Sequence, residues 1–343
     1  MKAARYSGHG GPDVIHYEDV ADPEIGPADV VVKVAACALN RLDVIQRAGN
    51  YTLPGYRLPH IAGMDVAGEV VESGAQVRGV SPGDRVVINP SLTNVRGDSR
   101  FLGMDDRYGE LGVIGATVDG GYAELCAAPA SHVHVVPAGF SCEEAACIPT
   151  SYVTAWHALS EVGRLARGET VLIHAAGGGL SSAGIQLAKK LGATVLATAR
   201  TERKLEHALR LGADHVLNHR KADVALWARE ITGGRGVDLV FDHVGPALWQ
   251  SSLAALRPRG RLVTCGATTG PAVTLELGHL HLMGIRILGS DAYSHEEFAR
   301  LLAIYWQGGF QQIIDSEFPL AEAGNAHRKM EDADLTGKIL LKP

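Results

Sequence analysis

The chain has 343 residues, of which 46% are hydrophobic and 20% charged, so it can bury a sizeable core and divide into two domains. The formal net charge of −6 comes without long acidic or basic runs, so we expect neither a nucleic-acid nor a membrane partner. Five scattered cysteines without a CxxC pair exclude a disulfide scaffold and favour a reducing cytoplasm, and no export signal or membrane-length apolar stretch is visible.

The first part of the sequence has the texture of an irregular β-rich domain. Short apolar strands such as VVVKVAACAL and DRVVI alternate with turn sequences such as GPDV, SPGD and DGGY up to about Cys126. Further along, Ser141 and Glu144 have the spacing of a capping box, so a helix is expected to begin at SCEEA.

From about Thr150 the pattern changes to strands that alternate with helix-length segments. Six strands are predicted: TVLIHAA, ATVLATA, DHVLN, VDLVFDHVG, GRLVTCGA and IRILGS. This βα alternation predicts a doubly wound parallel sheet of the α/β class. The tail reads as a helix, SHEEFARLLAIYW, and a short strand, GKILLKP, that returns to the first domain. We therefore predict a discontinuous domain over residues 1–127 and 291–343, and a second domain over residues 128–290.

A glycine-rich turn stands between the first strand of the second domain and its following helix, in TVLIHAAGGGLSSAGIQLAKK. This order is typical of a βα phosphate site, in which small residues let the backbone approach a pyrophosphate. Ala176, Gly178 and Ser181 occupy the three positions of the GxGxxG pattern, so the strict motif is not met. A plain tight turn is the alternative interpretation.

The end of the second strand indicates which dinucleotide is preferred. Ala199 stands where NAD enzymes place an acidic residue for the ribose hydroxyls, and Arg200, Arg203 and Lys204 follow it. Because Arg binds phosphate in a bidentate manner, these residues favour NADPH over NADH. The alternative is a solvated basic face on the next helix.

The segments AACALNRLDV, PHIAGMDVAGEV, SPGDRVVINP, DGGYAEL, AAGGGLSSAGIQLAK and GKILL together resemble the medium-chain dehydrogenase/reductase superfamily, in the family's order and spacing. The resemblance covers essentially the whole chain and is closest to the quinone oxidoreductase and enoyl reductase branches. It implies a GroES-like β-rich catalytic domain, a Rossmann domain inserted before its C-terminal end, and an active site in the cleft between them. A homodimer is the usual small assembly.

Zinc-dependent members of this superfamily hold a catalytic zinc with cysteine and histidine ligands. The corresponding positions here are Asn40, Met64 followed by Asp65, and Thr150, which lack thiolate and imidazole groups. We therefore expect no catalytic zinc.

The second zinc of those enzymes uses four cysteines in a surface lobe. Asn94, Gly97, Arg100 and Tyr108 have that spacing here, so we expect no zinc in the lobe either. Hydrogen bonds and charge pairs of Arg96 or Arg100 with Asp98, Asp105 or Asp106 are expected to hold the lobe instead. Two histidine pairs, His132 with His134 and His279 with His281, lack a third ligand nearby in sequence and do not favour a metal site.

Without zinc, hydride addition to an activated double bond is easier than alcohol oxidation, because the substrate carbonyl itself delocalises the developing charge. The resemblance implies that Asn40, Asp43 and Tyr51 line the nicotinamide pocket, and of these Tyr51 can donate a proton to the substrate. As alternatives, Tyr51 packs on the domain edge, and Asn40 and Asp43 are structural, with the aspartate capping a helix.

The candidate cofactor residues are Gly177, Gly178, Gly179 and Leu180 of the glycine-rich turn, together with Arg200 and Lys204 after the second strand. The resemblance adds Thr154, His219, His243, Val244, Gly245, Gly266, Ala267, Ser290 and Lys338. Three functions remain open: a zinc-independent reductase of a quinone, enone or enoyl thioester; a dinucleotide-binding protein with little turnover; and a zinc-type alcohol dehydrogenase with unusual ligands. The small-molecule substrate itself is not determined by the sequence, because variable loops form the walls of such pockets.

Overall fold

The computed structural model describes residues 1–53, 55–92, 112–290 and 293–343. The chain forms two compact units: unit 1 consists of Met1–Thr150 and Tyr293–Pro343, and unit 2 of Ser151–Ala292. Among the described helices, none has the length and apolar character needed to cross a bilayer. The predicted charge pairs of Arg96, Arg100, Asp98, Asp105 and Asp106, and the positions Asn94, Gly97 and Tyr108, lie outside the described residues.

Unit 1 is rich in strands. Its strands are β1 (Lys2–Tyr6), β2 (His16–Asp19), β3 (Asp29–Ala38), β4 (His60–Ile61), β5 (Asp65–Ser73), β6 (Arg85–Ile88), β7 (Leu125–Pro129), β8 (Val133–Val135), β15 (Ile314–Pro319) and β16 (Lys338–Lys342). Its helices are α1 (Arg41–Arg47), α2 (Cys142–Ala146), α9 (His295–Tyr305) and α10 (Ala323–Glu331), and α3 (Pro149–Trp156) begins at its end.

The main sheet of unit 1 has the order β15-β16-β3-β5-β6-β8, with β7 also paired to β3, and β2-β1-β4 form a smaller sheet. The central strand β3 is almost continuously buried, since strands pair with it on both edges and α2 packs against it. The predicted return of the tail is confirmed, since β16 pairs antiparallel with β3, with Leu340 opposite Ala38 and Leu341 opposite Cys37. This pairing places Lys338 at the end of β3.

Helix α2 shows why unit 1 extends to Thr150, past the predicted boundary after residue 127. β8 joins the main sheet beside β6, and α2 packs against β3, β5 and β6. The predicted helix start is confirmed, because the Ser141 hydroxyl accepts a hydrogen bond from the Glu144 N–H at 3.1 Å.

Unit 2 contains β9 (Thr170–Ile173), β10 (Thr194–Ala199), β11 (His215–Asn218), β12 (Val237–Asp242), β13 (Leu256–Thr264) and β14 (Arg286–Gly289). Its helices are the remainder of α3, then α4 (Gly179–Lys190), α5 (Glu202–Arg210), α6 (Val224–Ile231), α7 (Trp249–Ala255) and α8 (Leu277–Met283), with a π-helix at His157–Val162.

The six strands of unit 2 form one parallel sheet in the order β11-β10-β9-β12-β13-β14. The predicted doubly wound sheet is therefore confirmed. The strand order reverses between β9 and β12, and ligands of such sheets bind outside the carboxyl ends of the strands at this point.

Candidate functional sites

The glycine-rich turn of unit 2 has the geometry of an anion-binding helix start. Strand β9 ends at Ile173, Ala175 has a positive φ of 53°, and Gly178 is the N-cap of the 12-residue helix α4 without a side-chain cap. A Cβ on Gly177 would lie 2.6 Å from two side-chain carbons of Lys204, so a larger residue there would require the lysine side chain to move. The uncapped N–H groups of the first turn of α4 suit a pyrophosphate.

Ser181 occupies the position of the third glycine in the motif, and buried hydrogen bonds accommodate its side chain. Its hydroxyl donates to the carbonyl oxygen of His174 at 2.7 Å and lies 2.7 Å from Nε2 of His243. Burial lowers the pKa of His243 to about 4. The neutral imidazole therefore donates through Nε2, since the hydroxyl proton is already used. This contact fixes the ring that follows β12.

The loops after β12, β13 and β14 are tied to one another at the same edge of the sheet. The carboxylate of Asp242 accepts hydrogen bonds from the N–H groups of Val244 at 3.1 Å and Gly245 at 3.3 Å. The hydroxyl of Thr268, which follows the predicted residues Gly266 and Ala267, donates to the carbonyl of His243 at 2.9 Å. The N–H of Ser290 donates to the carbonyl of Thr264 at the end of β13, at 2.8 Å. The structure thus brings together the predicted cofactor residues that follow these strands, namely His243, Val244, Gly245, Gly266, Ala267 and Ser290.

Basic groups surround the ends of β10 and β11. Arg200 is exposed after Ala199, and the Nδ1 of His219 lies 3.2 Å from the Thr198 hydroxyl. Burial lowers the pKa of His219, and the positive charges of Arg200 and Arg220 lower it further. Sequence reasoning missed Arg220, although it directly follows His219. It also missed Glu202, whose carboxylate pairs with Lys221 at 2.8 Å.

A buried polar cluster lies in unit 1, and we call Asn40, Asp65, Thr150 and Lys338 the Lys338 cluster. The Lys338 ammonium donates to Oδ1 of Asn40 at 2.7 Å and to Oδ2 of Asp65 at 2.8 Å. Oδ1 of Asp65 accepts from the N–H of Thr150 at 2.9 Å and from its hydroxyl at 2.5 Å. The Asn40 amide Nδ2 lies 3.4 Å from the same hydroxyl. The cluster therefore links four separate segments of unit 1.

Local structure explains how these residues meet. Asn40 is the N-cap of α1 directly after β3, Asp65 begins β5, and Thr150 lies in the first turn of α3. Gly63, two residues before Asp65, has φ +103°, and a Cβ there would lie 2.4 Å from Cδ1 of Tyr122. A glycine is needed at this turn because both the backbone conformation and the close ring exclude a side chain.

The Lys338 cluster does not fit a zinc ion. Its oxygen groups are an amide, a carboxylate and a hydroxyl, without sulfur or imidazole, and the Lys338 ammonium already bonds the Asn40 and Asp65 oxygens. Within the described ranges, no group of three or more His, Cys, Asp or Glu side chains is arranged to hold a metal ion.

The two histidine pairs belong to different units, His132 with His134 to unit 1 and His279 with His281 to unit 2. His132 and His134 both lie beside His295 on α9, with ring centroids 5.1 Å and 5.4 Å apart, a neighbour that the sequence did not reveal. His279 and His281 lie on α8. Burial, followed by the charge of His295, lowers the pKa of His132 and His134 to about 4.

The other two candidate catalytic residues differ sharply in environment. Asp43 is buried, caps α1 by accepting from the Asn40 N–H at 2.7 Å, and accepts from the Tyr122 hydroxyl at 3.2 Å. Burial raises its pKa to about 7, although the hydrogen bond from Asn40 and the charge of Lys338 lower it. Tyr51 is 53% exposed in the segment after α1. Thr154 lies on α3, and Lys338 is held within unit 1 by Asn40 and Asp65.

Two family profiles match the sequence. "Alcohol dehydrogenase GroES-like domain" matches residues 26–138, and "Zinc-binding dehydrogenase" matches residues 179–307. The first match confirms that the β-rich part is GroES-like.

Similar proteins span the whole chain. Quinone oxidoreductase of Pseudomonas aeruginosa is 31% identical over 351 aligned residues, which cover 100% of this chain and 99% of the relative. A solved structure described as an NAD-dependent alcohol dehydrogenase has a TM-score of 0.94 at 37% identity and covers 100% of both chains. A mycobacterial protein complexed with NADPH has a TM-score of 0.84 at 30% identity, again over 100% of both chains.

Proposed function

The chain belongs to the medium-chain dehydrogenase/reductase superfamily, in its quinone oxidoreductase branch, as an NAD(P)H-dependent reductase, and we propose that it works without zinc and prefers NADPH. The proposed substrates are a quinone or an activated C=C bond, as in an enone or an enoyl thioester. The bound reduced nicotinamide supplies the hydride.

The Lys338 cluster carries the proposal. Alcohol oxidation in the zinc-dependent relatives uses a metal to polarise the alcohol oxygen. Here Asn40 and Asp65 accept hydrogen bonds from the Lys338 ammonium and the Thr150 hydroxyl donates to Asp65, so these positions offer a metal neither thiolate nor imidazole. A quinone or enone needs only hydrogen-bond donors at its oxygen, because charge that develops on hydride addition is delocalised into the carbonyl.

The basic residues at the ends of β10 and β11 support the preference for NADPH. Ala199, the last residue of β10, stands where NAD enzymes place a carboxylate, whereas Arg200, Arg220 and His219 lie at this end of the two strands. The charges of the two arginines suit the 2′-phosphate that distinguishes NADPH from NADH, and the His219 ring can donate a hydrogen bond to it. Glu202 is paired with Lys221, which reduces its repulsion of that phosphate.

Stopped-flow oxidation of NADPH and NADH against a panel of quinones, enones and enoyl thioesters tests the proposal. We expect faster turnover with NADPH on at least one of these substrate classes, in protein that elemental analysis shows to be free of zinc. Reduction of NAD with an alcohol and stoichiometric zinc would instead favour the alcohol dehydrogenase function, which the 37% identical solved structure represents. Tight binding of NADPH without oxidation by any substrate would favour a dinucleotide-binding protein with little turnover.

Tyr51 is the proposed proton donor, since its exposed hydroxyl is available for proton transfer. Tyr51→Phe removes the hydroxyl while retaining the ring, so we expect kcat to fall by about tenfold to a hundredfold with little change in cofactor affinity. Unchanged turnover on the best substrate of the panel would remove this role.

We also propose a cytoplasmic homodimer. The five cysteines are free, as in a reducing compartment. Light scattering of the purified protein tests the assembly, and a monomer mass at micromolar concentration would contradict it.

A further inference from the structure

A chain of hydrogen bonds runs from His219 into the interior of unit 2. Nδ1 of His219 lies 3.2 Å from the Thr198 hydroxyl, and Nδ1 of His174 lies 2.8 Å from the same oxygen. Nε2 of His174 lies 3.0 Å from the Ser252 hydroxyl, which donates to the carbonyl of Leu248 at 2.8 Å. Thr198, His174 and Ser252 are each 0% exposed. We call His219, Thr198, His174 and Ser252 the His219 chain; it joins the ends of β11, β10 and β9 to α7.

The direction of the hydrogen bonds follows from the protons available. The Ser252 hydroxyl has one proton and the Leu248 carbonyl only accepts, so Ser252 accepts from Nε2–H of His174. Burial keeps His174 neutral by lowering its pKa to about 3, so its Nδ1 accepts from the Thr198 hydroxyl. Thr198 in turn accepts from Nδ1–H of His219. The opposite direction loses the bond to Leu248, so this direction is favoured.

The chain therefore determines what His219 offers to a ligand. The ring is partly exposed, and because Nδ1 donates to Thr198, the neutral ring has a lone pair and no proton at Nε2. A ribose 2′-hydroxyl can donate to this lone pair. A 2′-phosphate cannot, because it is mostly dianionic above about pH 7.

We propose that the His219 chain couples NADPH binding to the uptake of a proton from solvent at Nε2 of His219, with His174 and Ser252 as positioning residues that set the direction of the chain. In the protonated ring Nδ1 still donates to Thr198 and Nε2 donates to the 2′-phosphate, so no bond of the chain is lost. NADH needs no proton, because its 2′-hydroxyl donates to the neutral ring. This inference rests on the proposed use of NADPH and names the group through which pH separates the two cofactors.

The charges around His219 determine the sign of the pH dependence. Burial, followed by the positive charges of Arg200 in the loop after β10 and of Arg220 next to it in sequence, lowers the pKa of His219 below the ordinary value of 6.5. Glu202 on α5 is paired with Lys221 at 2.8 Å. The charge of a bound 2′-phosphate acts in the opposite direction and raises the pKa of the ring. NADPH should therefore bind more weakly as pH rises through that raised value, whereas NADH should not.

The direction of the chain is measured first, in the cofactor-free protein. Long-range proton–nitrogen correlation NMR of protein with isotope-labelled histidine shows which ring nitrogen carries the proton, and the His219 signals are identified by their absence from His219→Gln. We expect the proton of the neutral ring on Nδ1 at about pH 8. A proton on Nε2 would overturn the inference, because the neutral ring could then donate to the phosphate directly.

Cofactor affinity provides the second measurement. Between about pH 6.5 and 8.5 we expect Kd for NADPH to rise by about fivefold to tenfold and Kd for NADH to change by less than about twofold. His219→Gln has no titrating ring, so the ratio of its two Kd values should be nearly independent of pH. Calorimetry in two buffers of different ionisation enthalpy counts the protons taken up with each cofactor. Equal pH dependence of both Kd values in the unmodified protein would also overturn the inference.

Ser252→Ala tests the positioning role at a distance from the cofactor. Without the Ser252 hydroxyl, the original direction leaves a buried N–H of His174 without an acceptor, so the chain should reverse. We expect the proton of neutral His219 on Nε2, and a pH dependence of Kd for NADPH below about twofold. Ser182→Ala is the matched control, because its hydroxyl is also 0% exposed and lies 2.9 Å from Nε2 of His207, outside the His219 chain. It should change neither readout, and identical NMR and pH profiles in the two variants would refute the positioning role.

Circular dichroism checks that the variants are folded. If Ser252→Ala does not fold, the NMR and affinity measurements on the unmodified protein and on His219→Gln still decide the inference. A preference for NADH at every pH would instead refute the proposed use of NADPH. The two failures are distinguishable, because the protonated nitrogen of His219 is identified without any cofactor.

Discussion

Removal of either charge from the buried Lys338–Asp65 pair should strongly destabilise unit 1. The two side chains are 4% and 0% exposed, so neither remaining group can recover its hydration. Breaking a buried pair in this way costs about 3–5 kcal/mol, and we expect this loss in unfolding free energy for both Lys338→Met and Asp65→Asn. In the double variant no uncompensated charge remains. Its loss should therefore be smaller than the sum of the two single losses by about 2–4 kcal/mol.

The assay is urea unfolding of the four proteins in the cycle, with hydrogen exchange at β3, β5 and β16 to localise the change to unit 1. Lys342 and Glu143 form the control cycle. Lys342 lies on the same strand as Lys338, and its ammonium is 2.7 Å from the Glu143 carboxylate, but the two side chains are 39% and 29% exposed. Its coupling should remain below about 1 kcal/mol. Equal coupling energies in the two cycles would refute the assignment of Lys338 as a buried, charge-compensated cation.

Three further predictions concern cofactor choice, pH and backbone strain. In steady-state kinetics, Arg200→Ala should raise KM for NADPH by about tenfold while changing KM for NADH by less than about twofold, because only NADPH carries the 2′-phosphate. The control is Arg229→Ala, a substitution at an exposed position of α6, which should change neither KM value. Burial lowers the pKa of His174 to about 3, so its contribution to the unfolding free energy is complete above pH 6.5 and is lost as pH falls toward 3. Other buried histidines, including His132, His134 and His243, act in the same direction, so the loss of unfolding free energy between pH 7.5 and pH 5, measured by urea unfolding, should be smaller in His174→Gln than in the unmodified protein by about 2 kcal/mol. Gly63→Ala should lower the unfolding free energy by about 3 kcal/mol or more, whereas Gly8→Ala, with nothing within 4 Å, should have little effect in the same measurement.

Each of these three predictions has a result that would contradict it. A parallel rise of both KM values in Arg200→Ala would mean that the arginine does not distinguish the two cofactors. A pH dependence of stability that is unchanged in His174→Gln would assign the acid sensitivity to other groups. Near-native stability of Gly63→Ala would contradict the close approach of the Tyr122 ring, which lies 2.4 Å from the added Cβ position.

The parallel sheet of unit 2 was predictable because each strand is followed by a helix within a short stretch of sequence, so local patterns determine both. The helix start at Ser141 and the return of β16 to the first domain were likewise predictable. The extension of unit 1 to Thr150 was not, since it depends on α2 packing against β3, β5 and β6, which no local pattern reports.

The contacts of buried polar side chains were harder to predict than the strands. The sequence pointed to Ser181 as a departure from the glycine motif, but not to the hydrogen bonds that its hydroxyl makes with His174 and His243 across 7 and 62 residues of sequence. The neighbour of His132 and His134 was missed for the same reason, because His295 comes from α9 in the C-terminal segment of unit 1. Such partners are brought together only by the tertiary fold.

Lys338 shows that the surroundings of a candidate residue can depend on a strand pairing that is distant in sequence. From the sequence, zinc is missing because Asn40, Met64 and Thr150 are poor ligands, and Lys338 appears only as a cofactor residue near the C-terminus. The pairing of β16 with β3 brings its ammonium to the Asn40 and Asp65 oxygens, 298 and 273 residues away along the chain. Because these contacts depend on the register of β16 against β3, no local pattern around residue 338 reports them.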